Sequence, residues 1–398
     1  MNNKVVFAAA GNGKTYELCR QAIELAQTSN KEILIVSYTN EGKSSIENEY
    51  RKQNSGVIDK NVVINTWYSF VLSELIKPYQ CKLVLKRKIY KHECDFEVPP
   101  NFIKSIAFYT DEKPEKWYNS GHVQYYLNET NNLYKDNVAA LAFKCVNDSD
   151  EAVIKRLEEI YSHIFIDELQ DYAGWDLEIF RLLFHSNIIL TCVGDYKQAT
   201  FRTNNSPKNK KYRDDKVRDF FKKLEKDNLC EISYSNKTRR FNQEICDYIN
   251  TIFNEKESYV IPDEKTGCIE EENTGVFIIK KEFVKMYCDY YNPTILRYER
   301  RSKVDFEHSC NLLNYGNSKG CTFDRVIIIP VSTVVPFIEK QVKISSKKTR
   351  SKFYVACTRA RYSIVFVIDQ LKPSNLYKET TLKFGGVSIP ALKYCLDS

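Results

Sequence analysis

Phe165-Ile166-Asp167-Glu168-Leu169-Gln170-Asp171 is the stretch on which the reading of this chain turns. An apolar run over residues 163–166 ends there in two adjacent carboxylates, followed by an amide and a third carboxylate. A buried strand delivers such a pair to the carboxyl edge of a parallel sheet, where α/β proteins bind ligands. One carboxylate can then hold Mg²⁺ while its neighbour orients an attacking water. A solvated strand end would read the same way in isolation. A second stretch, Ala8-Ala9-Ala10-Gly11-Asn12-Gly13-Lys14-Thr15, decides between the two. It lies between an apolar strand at 4–7 and a helical pattern that begins near Tyr16, which is the context a phosphate loop requires. In such a loop the backbone N–H groups and the helix N-terminus cradle phosphates. Lys14 would reach the β/γ-phosphates, and the Thr15 hydroxyl would join Asp167 on the metal. Together the two stretches predict a site that hydrolyses a nucleoside triphosphate.

A chain of 398 residues, 43% hydrophobic and 28% charged, has the make-up of a globular protein of two to three domains. Aromatic residues reach 13%, with 27 Tyr and 22 Phe, which leaves some rings for stacking on bases once the core is filled. The net charge of +7 is compatible with a polyanionic partner. Thirteen cysteines without a C-x-x-C pair argue against a disulfide framework or a zinc module. Cys145 and Cys192 sit in apolar surroundings and are expected to be buried free thiols. No apolar run approaches a membrane span, so no membrane association is expected and the cytoplasm is the expected compartment.

Strand-like and helix-like segments alternate at first. Residues 33–37 and 62–66 read as buried strands with a helix at 41–54 between them, and further strands are predicted at 163–166 and 188–193. This rhythm implies a doubly wound parallel sheet. It is lost between 71 and 150, where Pro78, Pro99, Pro100 and Pro114 interrupt the pattern and residues 127–146 look helical. That segment is expected to be a mostly helical insertion outside the sheet. A second series follows from about 229, with strands at 276–279, 294–296, 326–329 and 363–367. The lysine-rich stretch 208–223 reads as a linker or a solvated helix face. Two α/β units facing one cleft are therefore expected, divided as 1–70 with 151–228, an inserted 71–150, and 229–398.

Taken in order, the motifs resemble those of the UvrD/Rep/PcrA-like superfamily 1A DNA helicases. Besides the phosphate loop and 167–171, Ser37-Tyr38-Thr39-Asn40 resembles a T-F-T-N element, and Thr66-Trp67-Tyr68-Ser69-Phe70 a T-F-H-S-F element. Val193-Gly194-Asp195-Tyr196-Lys197-Gln198 is similar to V-G-D-x-x-Q and is followed by Phe201-Arg202. Arg240 with Ile245 resembles the arginine motif that opens the second motor domain. Ser318-Lys319-Gly320-Cys321-Thr322-Phe323 resembles S-K-G-x-x-F, and Tyr354-Val355-Ala356-Cys357-Thr358-Arg359-Ala360 resembles Y-V-A-x-T-R-A.

The resemblance implies two RecA-like P-loop domains and ATP-dependent 3′→5′ movement on single-stranded DNA. It implies nucleotide contacts from Ala8, Ala9, Ala10, Gly11, Asn12, Gly13, Lys14, Thr15, Tyr16 and Gly320, and Mg²⁺ on Thr15 and Asp167. Glu168 would activate water, Gln198 would sense the γ-phosphate, and Arg240 and Arg359 would act as arginine fingers. Nucleic-acid contacts would come from Tyr38, Thr39, Asn40, Thr66, Trp67, Tyr68, Phe201 and Arg202. In an extended strand Trp67 and Tyr68 point to opposite faces, so at least one ring is expected to be accessible.

Some positions depart from the family pattern. The first strand begins at residue 4, so the upstream glutamine motif that reads adenine is expected to be missing. Tyr16 stands where Arg is common, and Arg239 replaces an adenine-stacking Tyr, which loosens the preference for ATP. Gly316 replaces a usual His, and Thr322 a usual Glu. Between Arg297 and Lys319 a regular segment at 305–312 leaves room for only about a dozen further residues, so a compact motor without the family's 2B domain is expected. The alternatives are an RNA-directed superfamily 1 helicase, or an NTP-gated DNA-sensing switch beside a nuclease in a defence or repair complex. Compact relatives of the latter kind occur in anti-phage systems such as Gabija.

Overall fold

The computed structural model describes residues 3–107, 113–116, 118–264, 271–370 and 372–395. The chain divides into two compact units. The first comprises Met1–Phe7, Lys14–Tyr196 and Phe201–Ser233; the second comprises Ala8–Gly13, Lys197–Thr200 and Tyr234–Ser398.

The chain opens β1 (Lys4–Ala8), α1 (Lys14–Ala26), β2 (Glu32–Ser37), α2 (Asn40–Gln53), β3 (Val62–Thr66) and α3 (Trp67–Phe70). Residues 71–150 then form the hairpin β4 (Val84–Ile89) and β5 (His92–Glu97), the short β6 (Ile106–Ala107), α4 (Val123–Tyr126), β7 (Leu133–Tyr134) and α5 (Val138–Asp148). Next come α6 (Ala152–Ile160), β8 (Tyr161–Ile166), α7 (Asp176–His185), β9 (Ile189–Gly194), α8 (Val217–Lys226) and β10 (Glu231–Ser235). Six of these strands join in the order β10-β1-β9-β8-β2-β3. The ladders from β1 through β9, β8 and β2 to β3 are all parallel. Ile33, Leu34, Ile35 and Val36 of β2 are all buried. Such an unbroken apolar run marks a strand covered by helices on both faces. Among the described residues of 71–150, no strand enters this sheet.

The helix expected over 127–146 begins only at Val138. Asn128 explains the delay, because its side-chain oxygen accepts from the N–H groups of Thr130 and Asn132 and holds an Asx turn there. Likewise, the lysine-rich stretch becomes two short 3₁₀ turns and α8, whose apolar face buries Val217, Phe220, Phe221 and Leu224.

The second series contains β11 (Lys237–Thr238), α9 (Gln243–Phe253), β12 (Ile261–Pro262), β13 (Gly275–Ile279), α10 (Val284–Tyr291), β14 (Thr294–Arg297) and β15 (Leu312–Asn314). It closes with β16 (Phe323–Ile328), α11 (Val335–Lys340), α12 (Lys347–Cys357), β17 (Ala360–Val367), β18 (Tyr377–Phe384) and β19 (Val387–Tyr394). Seven strands join in the order β15-β14-β16-β17-β13-β19-β18. The five from β15 to β13 are parallel, whereas β19 runs antiparallel to both β13 and β18. Of the segment expected to be regular at 305–312, only Leu312 enters a strand. The β18–β19 hairpin lies outside the strands expected from sequence, although its signal is local: Gly385 and Gly386 have φ of 50° and 77°, as a two-residue type I′ turn demands. The α/β class with parallel sheets holds in both units, consistent with RecA-like folding. No helix among the described residues is long and apolar enough to cross a membrane.

Candidate nucleotide-binding site

In the first unit, β8 ends at Ile166, and the Asp167 N–H still donates to Val36 O at 2.9 Å, so the strand carries Asp167 to the sheet edge. The backbone then breaks. Glu168 has φ 56° and ψ 42°, a left-handed conformation uncommon for a non-glycine residue. Its N–H donates to the Asp167 Oδ1 at 2.8 Å, and the Gln170 amide donates to Glu168 Oε2. Gln170 Oε1 in turn accepts from the Asp195 N–H at 2.9 Å, linking the ends of β8 and β9. A turn that strained, held by side chains on both sides, fixes the direction of the Glu168 carboxylate. Across the sheet, the Thr15 hydroxyl in the first turn of α1 lies 3.5 Å from Asp167 Oδ2. Two hard oxygen donors, one of them a carboxylate only 5% exposed, fit Mg²⁺, which keeps several waters and needs few protein ligands. Among the described residues, no trio of His, Cys, Asp or Glu side chains gathers into an all-protein metal cage.

In the second unit, the loop Ala8–Gly13 lies along residues 235–240. The Ala9 N–H donates to Ser235 O, the Arg239 N–H to Gly11 O, and the Thr238 hydroxyl to Ala10 O at 2.8 Å. Asn12 Nδ2 donates to Ser235 Oγ and Lys237 O. Gly11 has φ 75°, and a Cβ there would stand 2.5 Å from both Arg240 Cβ and Thr238 Oγ1. Only glycine fits.

The same unit gathers Gln198, Arg240 and Arg359. Arg359 is 2% exposed and donates to the carbonyls of Val355, Ser318 and Cys321, to the Thr358 hydroxyl, and to Gln198 Oε1 at 3.2 Å. Arg240 donates to Thr358 O at 2.7 Å. Burial, together with the charges of Arg359 and Arg361, pushes its guanidinium down to about 9. It therefore stays charged at neutral pH. Buried like charges of this kind favour an incoming anion. Lys197, 3% exposed, donates to Ser258 O beneath the rings of Phe253 and Tyr354. Nothing in the sequence marks it or Thr238 as a site residue, although both lie inside or beside motif stretches. Tyr16 is 46% exposed, Arg239 pairs with Asp263 at 3.6 Å, and Gly320 sits at φ 83° in an open loop.

The residues expected to touch nucleic acid separate into two groups. Thr39 and Thr66 cap α2 and α3 through their side-chain oxygens. The expectation that Trp67 or Tyr68 would be accessible fails, since both rings lie in the core at 0% and 5% exposure. The reason is that the segment is helical, not extended: Thr66 caps a turn over Trp67–Phe70 that rolls both rings inward. Trp67 Nε1 donates to Asp176 Oδ1 at 2.7 Å, and the Tyr68 hydroxyl donates to Thr203 O. Asp176, which also accepts from Asn204, is pushed up to about 6 by burial. Phe201 is 43% exposed, Tyr38 is half-buried, and Asn40 opens α2 at the surface. Arg202 forms a forked pair with Asp214 at 2.7–3.0 Å. Cys145 and Cys192 are buried, as expected, and burial pushes both thiols well above the usual range.

Residues 71–218 match the sequence model of the UvrD/REP helicase N-terminal domain. A comparison with the curated proteins finds no match. Among solved structures, the chain is similar to the PRRSV helicase, at 14% identity and TM-score 0.41, covering 98% of this chain and 59% of that one. It is also similar to the arterivirus nonstructural protein 10 helicase solved with DNA, at 13% identity and TM-score 0.44, over 92% of this chain and 61% of that one. The chain spans about three fifths of the length of these solved structures. What the comparisons establish is a helicase-family sequence match over the central part of the chain.

Proposed function

We propose that this protein is an ATP-dependent translocase on single-stranded nucleic acid, acting on DNA in the 3′→5′ direction. The observation that carries the reading is the approach of the Thr15 hydroxyl to the Asp167 carboxylate at 3.5 Å, beside a Glu168 held in a left-handed turn. The helicase-family match over residues 71–218 supports it. The ordered series of motifs is the ground for DNA and for polarity. In this reading the loop N–H groups and Lys14 bind the triphosphate. Thr15 and Asp167 hold Mg²⁺, which when bound neutralises charge on the phosphate oxygens. Glu168 orients the attacking water and takes its proton, with Gln170 fixing the carboxylate. Gln198, Arg240 and Arg359 supply an amide and two positive charges to the phosphoryl group as charge builds on it.

Steady-state ATPase with and without single-stranded DNA or RNA tests this reading, using Lys14→Ala and Glu168→Gln as controls. Turnover stimulated by DNA is expected. Lys14→Ala should weaken nucleotide binding and abolish turnover, whereas Glu168→Gln should bind ATP and not hydrolyse it. Equal turnover by wild type and Glu168→Gln would remove Glu168 from its role. Stimulation by RNA alone would move the substrate class, and nucleotide binding without turnover in the wild type would mark a switch.

A further inference from the structure

The β4–β5 hairpin belongs to none of the motifs used above, and its tip is unusual. The strands pair from Val84↔Glu97 to Ile89↔His92, which leaves Tyr90-Lys91 as a two-residue turn. Tyr90 takes φ 54°, a left-handed conformation that turns ordinarily give to Gly, Asn or Asp, and that is an outlier for a bulky residue. Its ring is also 95% exposed, and Ile89 beside it is 53% exposed. Strain and an uncovered aromatic thus fall on one residue. Neither helps the fold.

The arm that carries this tip is braced. Gln124 of α4 exchanges hydrogen bonds with the Lys88 backbone, at 2.6 and 3.2 Å. The Lys86 N–H donates to Gly121 O at 2.8 Å, and His122 meets Glu93 at 2.9 Å. Arg87 lies over the Phe96 ring at 4.0 Å. Beside the tip is an open depression of about 690 Å³ lined by Lys88, Ile89, Tyr90, Lys91, Glu115 and Tyr118. Two phenol rings and two lysines against one carboxylate make a surface suited to a flat ring bearing a negative charge.

We infer that the tip of the β4–β5 hairpin is a second nucleic-acid contact, in which the Tyr90 ring stacks on an unpaired base while Lys88 and Lys91 meet the flanking phosphates. The inference rests on the nucleic-acid reading above and adds a place on the inserted segment where the strand is held. Stacking on an aromatic ring tolerates any base, so the contact is sequence-neutral. The lysine pair gives it a salt dependence. The braced arm supplies rigidity, which keeps the ordering cost of binding low.

The test exploits the strain. Tyr90→Gly and Tyr90→Asn place residues suited to φ 54° at the turn, so both should leave Tm unchanged or raise it. Binding of a labelled dT20 oligonucleotide should nevertheless weaken by at least about five-fold, the lower end for a lost stack. Tyr90→Trp should keep the affinity, and Lys88→Ala with Lys91→Ala should flatten its dependence on salt. Wild-type affinity in both Tyr90→Gly and Tyr90→Asn would overturn the inference. So would a fall in Tm in both, because the ring would then be structural. If the wild type bound neither dT20 nor rU20, the nucleic-acid reading itself would fall, an outcome the wild-type control alone reveals. Weakened capture of protein partners with unchanged dT20 binding would reassign the tip to a protein surface and overturn the inference.

Discussion

Arg240 and Arg359 place two positive charges inside the second unit, where Arg240 finds a carbonyl, not a carboxylate, among its hydrogen-bond partners. Their mutual repulsion is a cost that, on the proposed function, a bound polyphosphate would remove. Arg240→Met, which keeps the bulk and removes the charge, is therefore expected to melt no lower than wild type without nucleotide. Its Tm rise on adding ATP and Mg²⁺ should be smaller, as thermal-shift measurements will show. On the proposed function, Arg359→Ala is expected to bind nucleotide almost normally and lose most turnover, because its charge would be needed as the phosphoryl group transfers. It should also be less stable by ~1–3 kcal/mol, since several buried carbonyls lose a donor. If all the loss appeared as weaker binding at full turnover, Arg359 would be a plain ligand contact. Asp176 adds a pH dependence. Burial holds its folded value at about 6, above the 3.8 ordinary for an Asp side chain, so the folded state keeps the extra proton between those two pH values. Its contribution is thus full below about pH 4 and is lost as pH rises through about 6, by on the order of 3 kcal/mol. Urea unfolding of wild type and Asp176→Asn at steps from pH 4 to 7 should show this downward slope in the wild type and a flatter one in the variant.

Short elements decide what the aromatic residues do. The turn Trp67–Phe70 turns the Trp67 indole into a structural donor to Asp176, while the loop after β9 leaves Phe201 43% exposed. Trp67→Phe removes one donor from a buried carboxylate and is expected to cost ~1–3 kcal/mol of stability with little change in oligonucleotide affinity. Phe201→Ala should do the reverse, weakening single-strand binding by ~1–3 kcal/mol at unchanged Tm. Fluorescence anisotropy and calorimetry on the two variants separate these roles. A Phe201→Ala protein with wild-type affinity would remove Phe201 from the nucleic-acid face.

For the chain as a whole, the segment between β14 and β16 holds only the edge strand β15 and a 3₁₀ turn over Gly316–Ser318. We propose that the protein consequently moves along single strands but separates duplexes weakly or with a partner. Affinity should fall steeply with salt as lysine and arginine contacts to phosphates are screened. A 3′-tailed duplex should be unwound slowly and a 5′-tailed one not at all. Efficient unwinding of the 5′-tailed substrate alone would reverse the polarity, and rapid solo unwinding from a 3′ tail would show that the compact build carries no handicap.

Much of this molecule is written in contiguous residues. Buried parallel strands appear as unbroken apolar runs, as in Ile33-Leu34-Ile35-Val36, and loops that need special backbone appear as glycines, as at Gly11 and Gly385-Gly386. Both signals are local, so they survive without knowledge of the fold. The two motif stretches announced themselves in the same way. What the tertiary structure alone decided are the relations between distant residues and the orientation of side chains. Thr15 meets Asp167 across 152 residues, and Arg359 meets Gln198 across 161. No periodicity encodes such distances. Alternation would expose one of the Trp67 and Tyr68 rings because it presumes an extended chain, and a single capping hydroxyl at Thr66 replaces that with a helical turn. The strain at Tyr90 is likewise invisible in sequence, since a tyrosine between Ile89 and Lys91 reads as ordinary strand until the turn is seen to fall on it.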